Sequence, residues 1–172
     1  MPPFVLASEI EPGRYVCTRT KSPFGFLIRV FTRSPYDHAF IVLGGGLIAE
    51  ATNRGTRIDN IDRYKGQLAV ANTDEPMSTA ERAQVAAAAR QLVGREYGWG
   101  AIGVIALRKL GLKWGWLLRF ADEKDADICS EDVAIAGAAA GLDWLCGEPD
   151  PALVRPDELA ARKPYMCTVA WD

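Results

Sequence analysis

The chain has 172 residues, enough for one domain with a core of its own and too few for two of ordinary size. About half of the residues are apolar (49%) and 24% are charged, a globular composition rather than a disordered one. With 20 basic and 22 acidic residues the net charge is −2, so no basic excess points to a nucleic acid partner.

The N-terminus, MPPFVLASEIEPGRY, lacks the basic start and long apolar run of a signal peptide. The expected location is the cytoplasm, or a phage particle or release by lysis if the protein acts outside the cell. Tyr15-Val16-Cys17-Thr18 and residues 26–31 are short β-prone runs and read as strands. Ser34-Pro35-Tyr36-Asp37 reads as a turn or a helix start. His38-Ala39-Phe40-Ile41-Val42-Leu43 reads as a buried strand, Gly44-Gly45-Gly46 as a tight turn, and Leu47-Ile48-Ala49-Glu50-Ala51 as its hairpin partner. Gly55-Thr56-Arg57-Ile58 and residues 67–72 supply two more strands.

Ser78-Thr79-Ala80-Glu81 carries a capping box, so a helix is expected from there to about Val93, stopped by Gly94. Residues 95–127 suggest one or two short helices and a solvated acidic loop. The longest apolar stretch, residues 101–107, ends at Arg108 and Lys109 and is too short to span a bilayer. Residues 101–120 also hold Lys113, Trp114, Trp116 and Arg119. Packing of these tryptophans into the core is favoured over an amphipathic face that meets lipid or a substrate lip. A helix opens at Cys129 and ends at Gly141, a Pro-initiated turn follows at Arg155-Pro156-Asp157-Glu158-Leu159, and a last strand is expected within residues 165–171. The order predicts an α+β domain over residues 1–172 with a mostly antiparallel sheet.

Four cysteines, Cys17, Cys129, Cys146 and Cys167, form no CxxC pair, and His38 is the lone histidine. A metal site is not expected, and without a secretion signal free thiols fit better than disulfides. Cys17 and Cys167 sit in β-prone runs and Cys146 in a loop, where a cysteine behaves as a small hydrophobe. Cys129 begins a helix, where the dipole and free amides favour a thiolate and can hold an oxyanion. His38 starts a strand after a polar turn, so its ring can reach a site edge. Glu50 lies twelve residues on, across the hairpin, where a carboxylate can fix one tautomer of an imidazole. Asp37 and Asp59 are the other carboxylates that could do so.

The order of three segments, His38-Ala39-Phe40-Ile41-Val42-Leu43, then Ile48-Ala49-Glu50-Ala51, then Ile128-Cys129-Ser130-Glu131, resembles the circularly permuted branch of the NlpC-type papain-like hydrolases. That branch also holds lecithin:retinol acyltransferase-like enzymes. Gly94-Arg95-Glu96-Tyr97-Gly98-Trp99 is similar to the family's middle segment and Arg155-Pro156-Asp157-Glu158-Leu159 to its closing turn, so the likeness runs over roughly residues 12–160. Residues 101–127 match nothing in it. The resemblance implies a permuted papain-like fold with Cys129 as nucleophile, His38 as base and Glu50 as third member. Tyr36 and Asp37, beside His38, and Ser130, beside Cys129, are expected to line the site. It implies a peptide, amide or lipid-like acyl substrate cleaved through a thioester, a cell-wall peptide among the candidates, with no cofactor. Two other readings are a binding or structural module built on the same fold, for example in a phage particle, and a redox-sensing thiol at Cys129.

Overall fold

The computed structural model describes residues 3–52, 54–97, 126–127, 129–162 and 164–172. The strands are β1 (Phe4–Leu6), β2 (Tyr15–Thr18), β3 (His38–Gly44), β4 (Leu47–Thr52), β5 (Gly55–Asn60), β6 (Ala69–Ala71), β7 (Glu96–Tyr97), β8 (Ala126–Asp127) and β9 (Cys167–Ala170). The helices are α1 (Pro23–Thr32), α2 (Thr79–Gln91), α3 (Cys129–Ala139) and α4 (Pro156–Ala160), with single 3-10 turns at Ala7–Glu9, Ile61–Tyr64 and Pro151–Leu153. Seven strands form one sheet in the order β1-β9-β6-β2-β3-β4-β5, and β7 and β8 pair separately. Within the large sheet only β1 and β9 run parallel; the other neighbours are antiparallel. The fold is α+β, with a mostly antiparallel sheet packed against helices.

Alternation along the strands divides the interior in two. Tyr15, Cys17, Ala39, Ile41 and Leu43 face α2 and α3 and pack with Val85, Ala89, Val133, Ala136 and Trp144. Val16, Phe40, Val42 and Ile48 face the opposite way and pack with Ile61, Tyr64, Ala69, Ala71 and Val169. The central strands are therefore buried on both faces. Each fully buried aliphatic side chain contributes about 1.5–3 kcal/mol.

The β3–β4 hairpin sets the register that matters most. Gly45 and Gly46 form its two-residue turn at φ 62° and 77°, the left-handed pair that suits the twist of a tight hairpin. Gly44 pairs Leu47, but beyond a bulge between Val42 and Gly44 the partners become Val42 with Ile48 and Phe40 with Glu50. Had the turn's own register continued, Glu50 would lie opposite Ile41, on the face away from His38. The extra residue turns Glu50 onto the face of His38 and Phe40.

Residues 26–31, expected as a strand, lie within helix α1. Ser22 accepts a 2.9 Å hydrogen bond from the Gly25 amide and Pro23 occupies the first turn. Those start signals outweigh the β propensity of Phe and Ile. Arg33, in the left-handed conformation at φ 54°, ends the helix. The capping box of α2 forms as expected: the Glu81 amide donates to Ser78 Oγ at 3.2 Å and the Ser78 amide to Glu81 Oε2 at 2.6 Å. The expectations for residues 101–120 lie outside the described residues.

Candidate active site

His38 is the first residue of β3, and Glu50 lies on β4, opposite Phe40. The two are diagonal neighbours on one sheet face, which brings His38 Nε2 to 3.0 Å from Glu50 Oε2. Cys129, the first residue of α3, also lies near enough to the imidazole to act on its charge. Thr56 Oγ1 donates to Asp132 Oδ2 at 2.7 Å, tying the first turn of α3 to β5. Ser130 Oγ donates to the Val154 carbonyl at 2.6 Å and anchors the same turn on its other side. His38, Glu50 and Cys129 are all buried.

Glu50 has four donors around it. Arg57, directly across on β5, donates to Oε1 from Nε at 3.2 Å and from Nη2 at 3.0 Å. Tyr64, from the 3-10 turn, donates its phenol to Oε2, the oxygen that also meets His38. The Arg57 guanidinium can only donate, and its charge beside the carboxylate keeps Glu50 in its anionic, accepting form. In neutral His38 the proton must then sit on Nε2, facing Glu50. That leaves the lone pair on Nδ1 for the thiol.

Electrostatics follow from this arrangement. Burial alone would raise Glu50, but hydrogen bonds from His38, Tyr64 and Arg57 and the charge of His38 hold it down at about 2. Burial alone would lower His38, but the nearby Cys129, joined by the hydrogen bond and charge of Glu50, raises it to about 10. Burial and the adjacent Glu50 charge push the Tyr64 phenol far up, so it stays a donor. The Tyr64 ring also stacks on His38, with centroids 5.5 Å apart and planes at 29°, and on Phe40 at 4.9 Å.

The other expected site residues are placed differently. Asp37 is buried with its carboxylate committed elsewhere: it accepts from the Thr20 amide at 2.9 Å and from the Thr20 hydroxyl, and pairs with Arg29 of α1. Asp59 pairs with Arg57 at 2.7 Å and Arg63 at 2.8 Å. Of the three carboxylates left open by the sequence, Glu50 is the one hydrogen-bonded to His38. Ser130 is buried with its hydroxyl committed to the fold, so neither Asp37 nor Ser130 presents its polar group to the site. Tyr36 is half-buried and packs against the helix-side core. Arg57 and Tyr64 were missed. Arg57 could have been found by continuing the hairpin register from β4 to β5, whereas Tyr64 sits in a turn with no sequence periodicity to mark it.

No family model and no curated protein matches the chain. A solved structure does resemble it: the metalloprotein YiiX from Escherichia coli O157:H7, DUF1105, with a TM-score of 0.63 and 18% identity over 94% of this chain and 98% of that one. Among the described residues here, no group of three or more His, Cys, Asp and Glu side chains is arranged to hold a metal ion. The likeness extends to the α+β fold across nearly the full length of both chains.

Proposed function

We propose that this chain is a cysteine-dependent hydrolase or acyltransferase of the circularly permuted NlpC-type papain-like design. The observation that carries the reading is one imidazole hydrogen-bonded to the Glu50 carboxylate at 3.0 Å and close enough to Cys129 for each to act on the other's charge. Its substrate is an amide, peptide or ester carbonyl, a cell-wall peptide among the candidates.

His38 Nδ1 takes the thiol proton, and the Cys129 sulfur attacks the carbonyl carbon. The C–S bond forms as the carbonyl π pair moves onto oxygen. The free amides in the first turn of α3 stabilise that oxyanion. Collapse expels the amine or alcohol, which leaves with the proton from His38. Water, deprotonated by His38, then attacks the thioester, releases the acid and restores the thiol. Glu50 stays anionic throughout and holds the imidazole in one tautomer.

The test joins a turnover screen on peptide, ester and thioester substrates with iodoacetamide labelling of each cysteine. Cys129→Ala should abolish turnover, and His38→Ala should lower it roughly 10²–10⁴-fold. His38→Ala should also slow labelling of Cys129 at neutral pH by about tenfold, because an adjacent imidazolium favours the thiolate. If the wild type turns over no substrate and His38→Ala leaves the labelling rate of Cys129 unchanged, the chain is a binding or structural module instead.

A further inference from the structure

The cradle around Glu50 does more than bury a charge. Its four donors divide evenly, two from Arg57 on Oε1 and one each from His38 and Tyr64 on Oε2. The donors differ in kind. His38 can lose its proton, whereas the Arg57 guanidinium and the Tyr64 phenol hold theirs across the working range. Each fixed donor withdraws negative charge from the carboxylate that His38 needs in order to stay protonated. Arg57 also carries a full positive charge on the far side of that carboxylate, opposing a second cation on the imidazole.

We propose that Arg57 and Tyr64 are positioning residues that temper Glu50, limiting how tightly it holds the protonated imidazole so that His38 can still give its proton to a leaving group. This deepens the thiol-hydrolase reading and rests on it for the catalytic consequence, but the electrostatic consequence stands by itself. Once the Cys129 sulfur is bonded to the substrate carbon its charge no longer holds the imidazolium, and an undiluted Glu50 carboxylate would then hold it too firmly for general acid work, since a proton donor is most effective when matched to the working pH. Other charged groups enter the same balance. Cys129 faces His38 from α3, and Asp59 shares Arg57 and also pairs with Arg63. Asp59 therefore draws part of the Arg57 charge away from Glu50.

The test uses the lone histidine of the chain. Carbon-detected or nitrogen-detected NMR of labelled histidine in the full-length protein reports His38 and nothing else. Arg57→Gln removes the cation, and Tyr64→Phe removes only the hydroxyl while keeping the ring stacked on His38. Both should move the His38 titration to higher pH, Arg57→Gln by three- to tenfold in the protonation equilibrium and Tyr64→Phe by less. Arg57→Lys, which keeps the charge but loses the paired hydrogen bonds, should fall between wild type and Arg57→Gln. If Arg57→Gln and Tyr64→Phe lower thermal stability but leave the His38 titration where it was, or move it to lower pH, their role is structural and the proposal is overturned. Should Tyr64→Phe not fold, the Arg57→Gln and Arg57→Lys pair decides alone. Cys129→Ala in the same experiment separates the two ideas. A titration that ignores Cys129 but rises in Arg57→Gln sinks the thiol-hydrolase reading and leaves the tempering of Glu50 in place.

Discussion

At the scale of single residues, Glu50 is the most exacting position, because its anion has donors on every side. Glu50→Gln keeps the shape but removes the charge that Arg57 and His38 face, and an amide NH2 turned toward the Arg57 guanidinium meets only donors. It should destabilise the fold by about 2–4 kcal/mol in urea unfolding. Glu50→Asp, which keeps the charge, should cost less. The same contacts set a pH profile for stability. The folded-state pKa of Glu50 lies below its ordinary value, so its contribution is complete above about 4.5 and fades as pH falls toward about 2. That of His38 lies above its ordinary value, so its contribution is complete below about 6.5 and is lost as pH rises through about 10. Urea midpoints measured across pH should therefore form a plateau between about pH 4.5 and 6.5 and fall on both sides. The meeting of His38 and Glu50 could be suggested from sequence because a hairpin makes strand partners calculable. Tyr64 could not, since a 3-10 turn has no period from which to read the direction of a side chain.

At the scale of elements, glycine in α3 shows how packing overrides propensity. Gly137 would ordinarily be improved by alanine in mid-helix. Here an added Cβ would sit 2.4–2.8 Å from three atoms of the Trp144 indole. That indole cannot retreat easily: it is fully buried, and its Nε1 donates to Glu75 at 3.1 Å. Glu75 in turn is held by Arg162 at 2.8 Å and by Asn72 at 2.7 Å. Gly137→Ala should therefore destabilise by about 1–3 kcal/mol in thermal or urea unfolding, against the helix scale. Strands β2 to β6 and helices α2 and α3 were legible because their patterns and caps agree. Helix α1 was not, because its apolar residues favour strands and only the Ser22-Pro23 start argues otherwise. Strand β1 escaped because three residues are too few to show alternation, and Phe4 and Leu6 are largely exposed.

For the whole molecule, the two ends of the chain carry unequal weight. β9 lies between β1 and β6, and Trp171 Nε1 donates to the Gln67 carbonyl at 2.6 Å. Deleting residues 167–172 would strip β1 of its neighbour and open β6, together with Val169 and Cys167 of the core. That truncation should abolish cooperative unfolding or leave the protein insoluble. Deleting residues 1–6 removes only an end strand and should preserve a single transition at a modestly lower midpoint, as circular dichroism melts would show. No helix among the described residues is long and apolar enough to cross a membrane.

Strand β5 closes the other end of the sheet among the described residues, and there Arg57, Asp59 and Arg63 form a ladder of charges. A sheet margin is a template for strands of other molecules, and charged side chains along it discourage that recruitment. Ile58, between Arg57 and Asp59, is 44% exposed and would otherwise be an attractive seed. The guanidinium that touches Glu50 also lies on the stretch of this margin beyond Thr56, whose backbone is paired with Gly94 and Arg95 at 2.8 and 2.9 Å. A replacement at position 57 therefore changes both the donors on Glu50 and the charge along this margin, which narrows what the position can accept.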